Sequence, residues 1–370
     1  MVNDIRLRHM TFDDLEEMIA LKKDVLNRSD FDPAAERKLY NWELIGNPYR
    51  RDDFPVGLVL ENGKRIVGMV ALVPALFRIN QKDTYGCFEI DLAVANDFRF
   101  HGLKLLNLIW RSDKFPVVVG TTPNKTSYDI ETRLGALEIP FTRYYCVKVI
   151  NPPKVLIKKK GSRISAILAW FMLQRVLLRG YLSRLNKNFS EDDYVVEKID
   201  SFTEQFDQFF EKAATTYSAL VVKNSRYLNW RYVEFPFGER VIYMVSDRKG
   251  DLSGYIVIQH EILNGSIKVA RILDIFTLKN DANARRMLLR VATTHAKSSG
   301  LESVYMNAVD AFICDTAATE GFITRQLALP VAIYRSNEKV REGSLGWFLS
   351  SGDGDASTFS ALSWKMTNQK

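Results

Sequence analysis

The sequence predicts a mixed α/β protein, helices on α+β mixed sheets, in two tandem domains joined by a basic helical connector. Three observations carry this. Apolar runs of strand length alternate with runs of helical period along the chain. Landmarks also recur in order at nearly constant separation. Asn41-Trp42 and Asn229-Trp230 lie 188 residues apart, as do Pro48 and Pro236, while Gly68 and Gly254, and Gly135 and Gly321, lie 186 apart. "FEIDLAV" and "RILDIFT" align through Asp91 and Asp274. Such a series argues for an internal duplication of roughly 150 residues. Finally, the stretch from Asn151 to Lys187 holds nine Lys or Arg and no acidic residue, against a net charge of +7 for the whole chain. The predicted segments are 1–150, a connector 151–193, a second copy 194–340 and a tail 341–370.

In the first copy "DIRLRHM" reads as a strand. Thr11 with Asp14 forms an N-cap arrangement before the apolar-periodic "LEEMIALKKDVL". "VGLVLENGKRIVGMVALVP" reads as a hairpin turning at Asn62-Gly63. "CFEIDLAV" alternates, which predicts Cys87, Glu89, Asp91 and Ala93 on one face and Phe88, Ile90, Leu92 and Val94 on the other. A helix is expected from about Gly102 to Arg111, then a buried strand "FPVVVGTT" and a short helix closed by Gly135. The second copy repeats the plan through "VVEKI", "FTEQFDQFFEKAATTY", a hairpin at Lys249-Gly250, "VARILDIFTL", "ANARRMLLRVATTHAKSSG" and "SVYMNAV".

A chain of 370 residues can bury a sizeable core in each of two domains. Its 46% hydrophobic and 26% charged content fits a globular protein. Cys87, Cys146 and Cys314 have no metal-ligand spacing and cannot all pair, which points to a reducing cytoplasm. The charged N-terminus does not read as a signal peptide, and no apolar run approaches membrane-spanning length. The basic excess belongs to one connector rather than to a folded surface, which argues against nucleic acid as a partner.

"RFHGLK" resembles the pyrophosphate loop of the GNAT acyltransferase superfamily, Arg/Gln-x-x-Gly-x-Gly/Ala. "GTTPNKTSYDIETRLGA" resembles its later strand–Asn–helix–Gly segment, and "DLAV" the strand whose end splays to admit pantetheine. The order of elements follows the same family over nearly the whole chain. The doubled layout with "LNWRY" resembles tandem GNAT proteins associated with bacterial surface-polysaccharide synthesis. The resemblance implies acetyl-CoA or another acyl-CoA as donor and no metal. It places the donor along Leu92, Val94, Arg99, Phe100, His101, Gly102, Leu103, Lys104 and Asn124. Physically, a helix starting near Gly102 would aim unpaired N–H groups and its dipole at a diphosphate, with Arg99 adding a full charge. Lys104 departs from the motif, where Gly or Ala is usual, and opens the possibility of an acyl carrier protein donor. The second copy has Arg285 and Arg286 but no glycine in the matching loop, so only the first copy is expected to hold the donor.

Acyl transfer to an amine requires loss of an ammonium proton, stabilisation of an oxyanion and departure of a thiolate. Glu89 and Asp91 are the candidate bases. Asp274 repeats Asp91 in the copy expected to lack donor, so Glu89 is preferred. Tyr128 is the candidate proton donor to the thiolate. Counting back four from Gly135, the position where the family places a Tyr, gives Glu131 instead. Capping of a turn by Asn124 and packing by Tyr128 are the alternatives for those residues.

The expected function is N-acyl transfer by direct attack of a primary amine, which the resemblance makes that of an amino sugar or nucleotide-linked sugar. The rivals are an aminoacyl or long-chain acyl transferase of the tandem type using tRNA or acyl carrier protein, and an inactive adaptor at a membrane-bound complex. The connector, with Trp170-Phe171 among basic residues, offers peripheral membrane contact through 158–184, although its arginines scatter around a helical axis.

Overall fold

The computed structural model describes residues 5–26, 31–151, 193–263, 266–340 and 346–355. The connector, including 158–184, lies outside the described residues. The chain divides into two compact units. One comprises Met1–Ile139, Ser218–Val222 and Leu329–Arg341; the other comprises Pro140–Tyr217, Lys223–Ala328 and Glu342–Lys370.

In chain order the first copy contributes β1 (Ile5–His9), α1 (Leu15–Leu26), α2 (Pro33–Tyr40), β2 (Gly57–Asn62), β3 (Arg65–Ile79), β4 (Lys82–Val94), α3 (Gly102–Arg111), β5 (Val117–Thr121), α4 (Lys125–Arg133), β6 (Leu137–Glu138) and β7 (Tyr144–Val149). After the connector come β8 (Tyr194–Ile199), α5 (Gln205–Ala214), β9 (Ala219–Val221), α6 (Ser225–Leu228), β10 (Arg240–Asp247), β11 (Leu252–Leu263) and β12 (Ile267–Thr277). They are followed by α7 (Ala282–Ser298), β13 (Ser303–Asn307), α8 (Ala311–Thr319), β14 (Ile323–Gln326) and β15 (Ala332–Ser336). The Asn-Trp landmarks open matching π-helical turns, Asn41–Ile45 and Asn229–Val233, with Trp42 and Trp230 buried. Asn229 ties its turn down by donating to Phe202 O and accepting from Phe202 N, each at 2.8 Å.

The first unit's sheet runs β1-β2-β3-β4-β5-β15-β6, and β9 pairs with the far end of β3. The second unit's sheet runs β8-β10-β11-β12-β13-β7-β14. The two orders correspond position by position. In each the fourth and fifth strands are parallel and every other pair on the path is antiparallel. The sixth place holds the surprise. β7 follows β6 in the chain but is hydrogen-bonded to β13, and β15 follows β14 but is hydrogen-bonded to β5. Each copy thus completes its sheet with the last strand of the other.

Local chemistry explains the first unit's elements. Thr11 N donates to Asp14 Oδ2 at 2.7 Å, and Arg8 holds the same carboxylate, fixing the entry to α1. Asp32 caps α2 by accepting from Ala34 N, with Pro33 at the first helical position. α3 lays Leu105, Leu106, Ile109 and Trp110 onto Leu58 and Val118 of the sheet. Gly86 of β4 lies so close to β5 that a Cβ there would meet Val117 O at 2.3 Å. Gly86→Ala is therefore expected to force β4 and β5 apart and cost about 1–3 kcal/mol, read as a lower midpoint in urea denaturation.

Candidate active site

The centre of the first unit is a bulge in β4. Met69 pairs with Ala93 and Ala71 with Ile90, so Val70 faces two residues, Asp91 and Leu92. Asp91 takes a left-handed conformation, φ 55°. Pairing of β4 with β5 ends at Glu89↔Gly120, and β4 continues to Val94 beyond that rung. The two parallel strands part there.

The bulge changes which residues share a face. Simple alternation puts Glu89 and Asp91 together; the structure does not. Cys87 belongs to the core under α3, and Leu92 and Val94 pack against that same core. Asp91 instead meets Lys22 of α1 and Tyr40 of α2. The extra residue resets the period, so the two candidate bases are turned to opposite faces and do not form a pair.

Glu89 has a different carboxyl neighbour. Its Oε2 accepts from Trp110 Nε1 at 2.8 Å. Glu131, on α4, lies beside it, and both residues are buried. A side chain at Gly120 would lie 3.6 Å from Glu131 Oε2. Burial first, and then the charge of Glu89, push the Glu131 carboxyl up to about 9. The last rung before the strands part therefore carries Glu89, and the Glu131 carboxyl of α4, its pKa raised, lies near it. Glu131 occupies the position where the resemblance implies a tyrosine.

On the other face Asp91 Oδ2 accepts from Lys22 Nζ at 2.7 Å and from Tyr40 OH at 2.8 Å, and Lys22 also reaches Glu36 at 2.7 Å. Burial pulls the Lys22 ammonium down, but Asp91 and Glu36 more than offset it, and its pKa rises. Burial and then Asp91 raise the Tyr40 phenol well above its ordinary value. Asp91 is thus engaged by a cation and a phenol. Lys22, Glu36 and Tyr40 were not singled out from sequence, although Lys22 falls on the apolar stripe of α1 with Met18 and Ile19.

Arg99 to Lys104, the stretch expected from sequence to meet the donor, lies at one turn. A 3₁₀ turn, Asn96–His101, leads directly into α3, and Gly102 N donates to Arg99 O. Of the amides at the start of α3, that of Gly102 is thus bonded within the preceding turn. A Cβ at Gly102 would lie 3.2 Å from Val94 Cγ2, a tight contact that Val94 would have to relieve by a small shift. Arg99 donates to Asn96 Oδ1 at 2.6 Å. Phe100 is 90% exposed, and Leu103 and Lys104 are exposed beside it, with His101 capping α3 without a side-chain bond. Asn124 caps α4, its Oδ1 accepting from Ser127 N at 3.0 Å. Tyr128 OH donates to the Glu138 carboxylate on β6.

The second unit carries a similar bulge, displaced by one residue along the strand, and closes it. Val257 pairs with Asp274 and Ile258 with Ile272, leaving Leu273 extra. Asp274 accepts from Lys223 at 2.8 Å, Tyr255 at 2.9 Å and Tyr232 at 3.0 Å. The segment Trp347–Asp355 fills in beside it. Gly352 N donates to Leu273 O at 2.8 Å, Lys223 Nζ donates to Asp353 at 2.6 Å, and Arg231 donates to Gly352 O and Gly354 O. The start of α7 is also occupied, because Asp281 Oδ1 accepts from Ala284 N at 2.8 Å. A carboxylate caps this helix where α3 has none. Among the described residues no three His, Cys, Asp or Glu side chains are gathered as a metal site, and no helix is long and apolar enough to cross a membrane.

No protein-family profile and no curated protein sequence matches the chain. Solved structures do. A conserved Enterococcus faecalis protein, named a probable N-acyltransferase, is 13% identical with a TM-score of 0.59, over 90% of this chain and 72% of its own. A GCN5-related N-acetyltransferase from Anabaena variabilis is 11% identical with a TM-score of 0.56, over 90% and 72%. N-myristoyltransferase from Saccharomyces cerevisiae, solved with bound myristoyl-CoA, is 11% identical with a TM-score of 0.53, over 90% and 82%. The fold is that of the GNAT-like acyltransferases.

Two outcomes follow from the buried charges. Lys22→Ala removes the buried cation that Asp91 and Glu36 share, an expected loss of about 3–5 kcal/mol in urea denaturation. Glu131 keeps its proton in the folded state to about 9, whereas the unfolded chain loses it near the ordinary value of 4.5. Folding therefore takes up a proton across that window, and stability falls as pH rises from about 5 to about 9. Glu131→Gln should flatten this slope in denaturation curves taken along the pH series.

Proposed function

We propose that the chain is an N-acyltransferase that passes an acyl group from a pantetheine thioester to a primary amine. In this reading the first copy, within residues 1–150, receives the donor, the second, within 194–340, shapes the acceptor side, and 151–193 and 341–370 serve as connector and tail. The observation that carries the reading is the parting of β4 and β5 at Glu89↔Gly120, with the Glu89/Glu131 pair at the last shared rung. A thioester lying in that gap would have its carbonyl beside a carboxylate and a carboxylic acid. The amine nitrogen attacks the carbonyl carbon, the carbon–sulfur bond breaks, the nitrogen's proton passes to the carboxylate, and the acid returns one to the sulfur. Asp91 keeps a positioning role, since Lys22 and Tyr40 hold it in its left-handed turn. The closed bulge and the Asp281 cap of the second copy support donor binding in the first alone. Chemistry and resemblance together favour an amine on a small molecule, of the amino-sugar kind used for surface polysaccharide, as acceptor.

The exposed side of α3 favours a carrier-protein donor as the second reading. Gly102 N is already used, so the diphosphate of free CoA gains less from the helix start than the motif implies. Phe100, Leu103 and Lys104 present an apolar and basic face suited to an acidic helix bearing phosphopantetheine.

Purified full-length protein should release thiol from acetyl-CoA, or from an acyl carrier protein, when offered a pool of nucleotide amino sugars, with the product seen by mass. Glu89→Gln should lower kcat about 10²-fold or more with the fold intact by circular dichroism. Lys104→Glu should raise KM for a carrier-protein donor far more than for acetyl-CoA if the second reading holds. No thiol release from either donor with any amine would remove the proposal.

A further inference from the structure

Two of the chain's four histidines meet in the second unit, on the sheet face covered by α7. His260 comes from β11 and His295 from the last turn of α7, and their Nε2 atoms lie 2.8 Å apart. The second ring nitrogen of His295, Nδ1, lies 3.2 Å from Tyr243 OH on β10. The register of β10 with β11 sets Arg240 opposite Gln259, so the next rung outward brings Glu239 opposite His260. A pocket of about 320 Å³ adjoins His295, its lining including Tyr243, Met287, Arg290, Val291 and Thr294. None of these residues has a part in the acyl-transfer site.

We infer that His260 and His295 form a binding site for a divalent transition-metal ion, held between the two Nε2 atoms. The geometry is close to what such an ion needs. Ligand bonds of about 2.0–2.1 Å at tetrahedral angles separate two nitrogens by about 3.3 Å. The rings need to move apart by only a few tenths of an ångström. At present one Nε2–H lies between the two nitrogens. On ligation that proton moves to the same ring's Nδ1, both Nε2 lone pairs face the ion, and no proton is lost overall. Tyr243 is placed to accept from His295 Nδ1–H, the orienting bond that ligating imidazoles usually make. Glu239, whose carboxylate also lies 3.9 Å from Lys198 Nζ, adds negative charge nearby, against the positive charge of Lys198 and of Arg290 in the cavity wall. No third ligand stands in place among the described residues, so water from the adjoining cavity completes the coordination. Two imidazoles select Zn²⁺, Ni²⁺ or Cu²⁺ over Mg²⁺ or Ca²⁺. The ion would join β11 to α7 and stabilise the folded chain by mass action.

The test uses full-length protein without a histidine tag, stripped with a chelator and titrated with ZnCl₂ and NiCl₂ by calorimetry. One ion per chain is expected, with a rise in Tm that EDTA reverses and that MgCl₂ does not produce. His295→Ala and His260→Gln should each weaken binding at least tenfold, and Tyr243→Phe about tenfold. Thermal melts of the metal-free variants establish that they are folded. Absence of saturable binding, binding unchanged in both histidine variants, or an equal Tm shift with MgCl₂ would overturn the inference. Acyl-transfer assays on the same variants report separately on the other site.

Discussion

One extra residue in one strand organises the first unit. With Asp91 and Leu92 both opposite Val70, β4 changes phase at the point where β5 leaves it. Glu89 is thereby committed to the side of α3 and α4, and Asp91 to the side of α1 and α2. A left-handed aspartate is strained, by about 1–3 kcal/mol for such conformers, and it persists because Lys22 and Tyr40 both bond its carboxylate. The strain, the buried cation and the strand separation are a single arrangement.

The duplication shows how one plan can take two fates. Both bulges carry an aspartate pinned by a lysine and a tyrosine. In the second unit the lysine is drawn from the chain after β9 rather than from a long helix, and Tyr255 adds another bond. There Gly352 reaches Leu273 O, an approach that glycine alone permits, since a Cβ would meet Tyr232 OH at 2.3 Å. The second bulge is sealed by the chain's own backbone. In the first unit Asp91 is held by the side chains of Lys22 and Tyr40.

Much of this was legible in the sequence. The strands, the capping of α1 by Thr11 and Asp14, the turn at Gly63, the start of α3 at Gly102 and the doubled order of elements along the chain all follow from periodicity and turn chemistry. The missed turn between β3 and β4 uses Asn80 and Gln81, both left-handed, without the glycine that usually marks such a turn. The α2 signal, Asp32-Pro33, was present and unused. The faces of Glu89 and Asp91 were not legible, because a bulge leaves no mark in an alternating pattern. Glu131 was visible as a departure from a motif, but its proton depends on a neighbour 42 positions away in sequence. The exchanged strands were illegible too, because β7 and β15 satisfy the same apolar pattern in either sheet.

That exchange bears on how the chain is made. β5, "VVVGT", needs β15 at its flank, and almost two hundred residues separate the end of β6 from the start of β15. At 5–20 residues per second a ribosome takes about 10–40 s to supply them. Throughout that interval the nascent first half offers a bare, valine-rich rim to any other chain nearby, the kind of edge from which aggregates grow. Protection during synthesis, by a chaperone or by transient contacts of the emerging polypeptide, is thus as much a requirement of this architecture as any contact in the finished molecule.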